Sequence, residues 1–248
     1  MPRTPKLRTV NKSVPAFPLN TFPSEFPYKL GKEIIYLLAT KGKAILEGSE
    51  WENIFALCID AEWKPSNVGL DDIVKGNTAW GAKTVKSLKP SYQKKVRLIS
   101  GRNSPTYSFG EKIDTNADPN VIGQFVLDIW NERVSSIREK YKHLRTIVLV
   151  KSNDLLEVVV FEFDTIRYDE LLYTWKWNKQ KNLEGSHKKS GEHKFTWQPH
   201  GSQFTIFEDV PDDSLIIKIK NPDKLNKETV LTSLGFDKSW ITVKKNNG

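Results

Sequence analysis

Apolar residues recur at helical spacing in three parts of the chain. Segment 29–46 predicts a first helix; Gly48 interrupts it, and Ser49 is suited to cap a second helix. The second helix places its apolar residues on one face: Trp51, Ile54, Phe55 and Cys58. Asp118 and Pro119 begin the longest helix, because proline suits the first helical position. Its apolar stripe consists of Ile122, Phe125, Val126, Ile129, Trp130, Val134 and Ile137.

The other apolar runs are short and rich in β-branched residues, which favours strands. Segments 70–75 and 78–87 predict a hairpin, because Gly76 and Asn77 between them are able to adopt the positive φ of a tight turn. The polar stretch 100–110 predicts a linker. Further strands are predicted at 145–150, 155–163, 195–197, 203–207 and 215–220, and a last helix at 224–234.

This order of elements predicts an α+β fold, in which a mixed β-sheet core is flanked by helices and followed by a β-rich C-terminal half. Residues 1–28 contain six of the 13 prolines and several basic side chains, which predicts an extended basic arm. Residues 29–165 are expected to form the core. Residues 166–248 are expected to form a β-rich part packed on that core.

The composition limits the class of protein. Of the 248 residues, 38% are hydrophobic and 11% are aromatic, enough to build a core, so a disordered chain is excluded. No apolar run approaches the roughly 20 residues of a membrane-spanning helix, and the basic N-terminal segment lacks the apolar stretch of a signal peptide. We therefore expect a cytoplasmic protein without a membrane partner. The single cysteine, Cys58, excludes an internal disulfide and a cysteine-based zinc site.

The charge indicates the class of partner. The 38 Lys and Arg residues exceed the 30 Asp and Glu residues, which gives a net charge of +8 and a pI near 9.3, values typical of nucleic-acid-binding proteins. The run from Trp175 to Lys194 interleaves six lysines with two tryptophans. Lysines neutralise phosphates and aromatic rings stack on bases. Lys176, Lys188 and Lys189 are therefore candidate DNA contacts, the alternative being a solvated hairpin loop.

Candidate catalytic residues surround the predicted hairpin. Glu52 lies on the helix before it, Asp71 and Asp72 open its first strand, and Lys83 lies in its second strand. Carboxylates that converge on a divalent metal, with a lysine near the attacking water, are the groups that a metal-dependent nuclease needs. The segment therefore indicates phosphodiester chemistry.

The length of the turn decides which aspartate shares a face with Lys83. Residues directly opposite each other in a hairpin point to the same face. A two-residue turn at Gly76 and Asn77 places Asp72 opposite Gly81, two residues before Lys83 on the same side of the sheet. A three-residue turn places Asp71 there instead.

In these residues the chain resembles the PD-(D/E)xK nuclease superfamily, in particular the type II restriction endonucleases. The likeness covers roughly residues 45–90 and consists of the helical acid Glu52, an aspartate on the first strand and Lys83 on the second. The family carries its second acid two residues before the lysine, and here that residue is Gly81. Another acid must then supply the charge, and Glu52 is the candidate.

The resemblance implies a Mg²⁺-dependent restriction endonuclease that hydrolyses double-stranded DNA at specific sequences. It implies Asp72, or Asp71, and Glu52 as metal ligands, with Lys83 orienting or deprotonating the attacking water. Because duplex cutting requires two strand scissions, a homodimer is the simple arrangement. Two alternatives stay open, a non-catalytic nucleic-acid-binding protein and a structure-specific repair nuclease.

Two polar segments carry side chains of the kinds that read base edges. Arginine pairs bidentately with guanine, and glutamine or asparagine with adenine. The candidates are Arg102, Asn103 and Ser104 in the first segment and Gln198, His200 and Gln203 in the second. We expect Arg102 to be the strongest of them, because its neighbours are donors and acceptors rather than acids. The alternative for each segment is a polar surface loop.

Overall fold

The computed structural model describes residues 13–64, 69–110, 114 and 117–244. These ranges contain five α-helices: α1 Phe26–Lys41, α2 Gly48–Cys58, α3 Pro105–Phe109, α4 Pro119–Lys140 and α5 Lys227–Ser233. They also contain eleven strands: β1 Glu62–Trp63, β2 Ile73–Lys75, β3 Thr78–Lys86, β4 Lys95–Arg102, β5 His143–Lys151, β6 Glu157–Asp164, β7 Tyr173–Trp177, β8 Leu183–His187, β9 His193–Gln198, β10 Gln203–Asp209 and β11 Leu215–Lys218. The predicted α+β class is confirmed.

The strands form two sheets. The first has the order β1-β2-β3-β5-β6-β11 and is mixed, because β3 and β5 run parallel while the other neighbours are antiparallel. A parallel pair needs a long crossover, and the connection from β3 to β5 contains α4. The second sheet, β4-β10-β9-β8-β7, is antiparallel throughout. Since β4 joins the C-terminal strands and β11 joins the first sheet, strand pairing crosses the predicted boundary at residue 165 in both directions.

Helices α1 and α2 pack on one face of the first sheet, where Trp80 and Ala82 of β3 enter the core. The ring of Phe17 stacks on Trp80 with 5.6 Å between centroids, so part of the predicted arm packs on the core. Helix α1 begins at Phe26, which is fully buried, rather than at residue 29. The predicted arm is therefore too long at its C-terminal end, and its residues 1–12 lie outside the described ranges.

Helix α4 packs against both sheets and fixes how they meet. Its predicted start is confirmed, since Pro119 is the first helical residue and the side chain of Asp118 accepts a hydrogen bond from the Asn120 amide. Gly123 provides the room for the Trp175 ring of β7: a Cβ there would lie 2.3 Å from that ring. The close approach of helix and strand therefore depends on a glycine at this position.

The sequence does not predict four of the strands, of which β1 is the shortest. Strand β4 extends into the predicted linker 100–110, and β7 and β8 form a hairpin within the lysine-rich run 175–194. The N-cap of α2 is Glu47 rather than Ser49, because Glu47 and Glu50 form a reciprocal capping box. Among the described helices, none is long and apolar enough to span a membrane.

Candidate active site

The hairpin that carries the candidate residues forms in one of the two predicted registers. Ile73 pairs with Trp80 and Lys75 with Thr78, so Gly76 and Asn77 make a two-residue turn. Gly76 has a φ of 58°, in the region that favours glycine. The observed pairing ends at Ile73, one residue after Asp72; extended by one pair, the same register would put Asp72 opposite Gly81, and the charge of Asp72 acts on Lys83.

The structure corrects the position of the two aspartates. Strand β2 begins at Ile73, so Asp71 and Asp72 precede the strand instead of opening it. The backbone carbonyl of Asp72 still accepts a hydrogen bond from the Lys64 amide at 2.7 Å, which continues the pairing of β1 with β2. Asp72 is buried, with 4% of its surface exposed. The backbone at Asp72 is thus fixed by pairing with β1.

Gly81 explains why no acid stands two residues before Lys83. The backbone of Gly69 and Leu70 lies directly against it: a Cβ on Gly81 would be 2.8 Å from the Gly69 carbonyl oxygen and 3.1 Å from the Leu70 Cα. Those atoms are main chain and cannot rotate away as a side chain does. The fold therefore excludes a carboxylate at this point.

Replacing Gly81 by aspartate, which would restore the acid of the resembled family, is expected to destabilise the protein instead. The new Cβ has to displace backbone, and forced overpacking of this kind costs about 1–3 kcal/mol. Urea unfolding of Gly81→Asp measures the change. Gly31→Asp is the matched control, because Gly31 also lacks a positive φ and no atom lies within 4 Å of a Cβ built there; it separates crowding from the effect of the added charge. Equal stability of Gly81→Asp and wild type would contradict the packing argument.

Glu52, Asp72 and Lys83 come together in one partly buried site. Glu52 is half-buried, and its carboxylate accepts a hydrogen bond from the Trp63 indole at 3.3 Å. Burial raises the pKa of Glu52, and the negative charge of Asp72 raises it further. The hydrogen bond from Trp63 acts in the opposite direction and lowers the pKa. Glu52 therefore stands within electrostatic range of Asp72 and Lys83, although α2 packs on the opposite face of the sheet from them.

Burial lowers the pKa of the half-buried Lys83. The charges of Asp72 and Glu52 favour the protonated amine, whereas the positive charge of Arg133 on α4 disfavours it. The net effect gives Lys83 a larger neutral fraction than an exposed lysine has. An amine of this kind, within electrostatic range of two carboxylates, gives up its proton more readily than an exposed lysine does.

Arg133 is a residue of this site that sequence reasoning misses. Its guanidinium donates hydrogen bonds to the Ser100 carbonyl oxygen at 2.7 Å and to the Asn103 side-chain oxygen at 3.3 Å. It also lines a groove of about 680 Å³ between α3 and α4, next to Arg167. No local pattern marks Arg133, because its partners lie on β3 and β4, far away in sequence. The fold thus adds a cation between Lys83 and the end of β4.

The donor set fits Mg²⁺ bound with few protein ligands. The described residues contain no group of three His, Cys, Asp or Glu side chains placed around one ion. Mg²⁺ is often bound by one or two carboxylates together with waters and substrate phosphates. Glu52 and Asp72 interact with each other and supply two. Asp71 is buried, and its Oδ1 has no hydrogen-bond partner among the described residues.

Two of the predicted DNA contacts are structural instead. Asn103 is fully buried: its amide nitrogen donates to the Val126 carbonyl oxygen at 2.9 Å, and its side-chain oxygen accepts from Arg133. The Ser104 hydroxyl caps α3 by accepting a hydrogen bond from the Tyr107 amide. Asn103 is therefore not accessible to a base, whereas Ser104 is half-buried and its hydroxyl serves as a helix cap.

The other predicted DNA contacts remain accessible. Arg102 and His200 are exposed, and Gln198 and Gln203 are half-buried. The predicted lysines, Lys176, Lys188 and Lys189, are exposed as well. The expected base-stacking role of Trp175 is wrong, however: only 5% of its surface is exposed, and its ring stacks on Phe195.

Comparisons with protein-family models, with curated proteins and with solved structures found no significant match for this chain.

Proposed function

We propose that this protein is a Mg²⁺-dependent endonuclease of the restriction type, which hydrolyses phosphodiester bonds in double-stranded DNA at specific sequences. One observation carries the proposal: Glu52 on α2, Asp72 just before β2 and Lys83 on β3 lie within electrostatic range of one another. Two carboxylates and a lysine with a lowered pKa form a group suited to metal-assisted hydrolysis. The exposed lysines and the net charge of +8 suit a phosphate backbone.

Each residue has a role that follows from its surroundings. Glu52 and Asp72 would hold the ion, which when bound lowers the pKa of a coordinated water and neutralises charge on the phosphate. The partly neutral Lys83 would accept a proton from the attacking water, and in its protonated form it would stabilise charge on the phosphate oxygens. Arg133 keeps a larger share of Lys83 neutral and offers a second cation near the phosphate.

The main alternative is a non-catalytic nucleic-acid-binding protein. It is favoured by the number of carboxylates, because the described residues place two acids and not three at the site. A structure-specific repair nuclease would use the same catalytic residues but would not depend on base sequence. For a sequence-specific enzyme we propose a homodimer, since each copy then cuts one strand.

Digestion of a large, unmodified genomic DNA tests the proposal. The protein is incubated with the DNA and Mg²⁺, with a matched sample in EDTA. Discrete fragments that form only with Mg²⁺ are the expected result. A Mg²⁺-dependent smear would show a nuclease without sequence specificity. Intact DNA that migrates more slowly in a native gel would support the non-catalytic alternative and contradict the proposal.

The cleavage rate is expected to fall as the pH is lowered, and added Mg²⁺ is expected to counter this loss. Because burial raises the pKa of Glu52, its carboxylate takes up a proton at a higher pH than an exposed glutamate does. Protons and Mg²⁺ then compete for the same oxygens. The neutral fraction of Lys83 also decreases as the pH falls, which acts in the same direction.

Rate–pH profiles at two Mg²⁺ concentrations measure this competition. The midpoint of the acid limb should move to lower pH at the higher Mg²⁺ concentration.

The Glu52→Gln variant keeps the shape of the side chain and removes its charge. It should cut DNA more slowly by orders of magnitude and should need more Mg²⁺. An active Glu52→Gln variant with an unchanged metal titration would remove Glu52 from the metal site.

A further inference from the structure

Three of the accessible polar residues are aligned across the second sheet. Gln198 on β9 lies directly opposite Gln203 on β10, and Gln203 lies directly opposite Arg102 on β4. Directly opposite residues point to the same face, with Cβ atoms about 5 Å apart. We call Gln198, Gln203 and Arg102 the polar row. Arg102 precedes Gln198 by 96 positions in the sequence, and only the strand order β4-β10-β9 brings it beside the two glutamines.

The polar row faces away from the protein core. Its neighbours in sequence, Trp197 and Phe204, are 2% and 0% exposed and pack in the core beside α4. Because side chains alternate along a strand, the row points to the other face of the sheet. Among the described residues, the side chains of the row have no hydrogen-bond partner, in contrast to the amide of Asn103, which bonds to Val126 and Arg133. Two amides and a guanidinium are thus left with their donors and acceptors unused.

The dimensions of the row suit the major groove of DNA. Two strand spacings of about 4.8 Å separate Gln198 from Arg102, so the row is about 10 Å long. The major groove is about 12 Å wide and admits a two-stranded ribbon, and Gln198 and Gln203 lie at the turn end of the β9–β10 hairpin. Base pairs follow one another at about 3.4 Å along the axis, so a row of this length faces about three successive pairs.

We propose that the polar row reads a G·C base pair flanked on one side by A·T pairs, with Arg102 on guanine and Gln203 and Gln198 on adenines. Arginine pairs bidentately with guanine O6 and N7, and glutamine with adenine N6 and N7. The order of the side chains across the strands sets the order of the bases. This inference rests on the proposed function, because it identifies the DNA sequence that the enzyme acts on.

The row is connected to the candidate active site through Arg133. Gly101 precedes Arg102 and has a φ of 113°, and its Cα lies against the Arg133 guanidinium: a Cβ there would be 2.7 Å from Nη1. Arg133 in turn lies within electrostatic range of Lys83. The backbone that carries Arg102 therefore packs against Arg133, although the side chain of Arg102 points to the other face of the sheet.

Selection of bound duplexes from a random pool, with Ca²⁺ in place of Mg²⁺, tests the proposal without requiring cleavage. The wild-type protein should enrich sequences with a G·C pair next to A·T pairs. In Arg102→Ala, the preference for the G·C pair over other base pairs should fall about 10- to 100-fold, and the preferences at the other positions should not change. Arg97→Ala is the matched control, because Arg97 is also an exposed arginine of β4 but lies outside the polar row. It should weaken binding to all sequences and leave the preference unchanged.

Guanine analogues extend the test to single atoms. Replacing the selected guanine by 7-deazaguanine removes the N7 acceptor, so it should weaken binding of wild type and not of Arg102→Ala. Selection of no sequence, selection of a sequence without that G·C pair, or an unchanged preference in Arg102→Ala would overturn the proposal. Binding of a selected sequence without cleavage in Mg²⁺ would instead overturn the proposed enzymatic function and leave the reading by the polar row standing.

Discussion

Replacing Lys83 by alanine is expected to slow DNA cleavage by about 100- to 10,000-fold, the contribution of one well-placed proton-transfer group. Binding of DNA should change little, because Lys83 is half-buried and we expect the exposed lysines to make the phosphate contacts. Single-turnover cleavage rates at saturating protein measure the first effect. Gel-shift titrations in Ca²⁺ measure the second.

Lys86 supplies the matched control for Lys83. It lies three residues further along β3, so its side chain points to the opposite face, and it is exposed. Lys86→Ala should therefore cut DNA at nearly the wild-type rate. Full activity in Lys83→Ala together with an inactive Lys86→Ala would show that the assignment of the lysine is wrong.

Replacing Arg145 by methionine is expected to destabilise the fold by about 3–5 kcal/mol, the cost of leaving a buried charge without its partner. Arg145 and Glu162 are 4% and 0% exposed, and their charged groups meet at 2.7 Å. The Glu162 carboxylate also accepts hydrogen bonds from the Trp80 indole at 2.7 Å and from the Asn20 amide at 3.2 Å. It thus ties the N-terminal segment to β3 and β6. Urea unfolding measures the loss.

The stability lost in Arg145→Met should depend on pH, and the direction of that dependence follows from the protonation of Glu162. Burial already raises the pKa of Glu162, and removing Arg145 removes a charge that opposes this shift. The folded variant then binds more protons than the unfolded chain, so its stability falls as the pH rises through the raised pKa. The double variant Arg145→Met with Glu162→Leu has no buried charge to leave unpaired and should regain much of the stability. A pH-independent loss that the double variant does not reduce would contradict this account of the pair.

The hairpin and α4 are predictable because their signals are local. Gly76 and Asn77 specify a two-residue turn, and the turn alone sets which aspartate shares a face with Lys83. Asp118 and Pro119 specify the start of a helix in the same way. The alternation of buried Val96, Leu98 and Ser100 with more exposed neighbours is also a local signal, and it marks β4 before the predicted linker begins.

The roles of other polar residues are not predictable because their partners are distant in sequence. Asn103 looks like a loop residue until the fold brings Val126 and Arg133 to its amide. Trp175 looks like a base-stacking ring until Gly123 of α4 opens the space that it fills. The side chains of the polar row are correctly identified as accessible, but their alignment follows from strand order alone.

Adjacent substitutions at Asp72 and Asp71 give the most direct test of the central claim, that a metal-dependent nuclease site is formed on the face of the hairpin that carries Lys83. Protein and DNA are mixed without divalent metal, and cleavage is started with Mg²⁺. Asp72→Asn is expected to bind DNA and not to cut it. Asp71→Asn is expected to cut at nearly the wild-type rate, because the register turns Asp71 away from Lys83. Equal cleavage by wild type and Asp72→Asn, or inactivity confined to Asp71→Asn, would contradict the account.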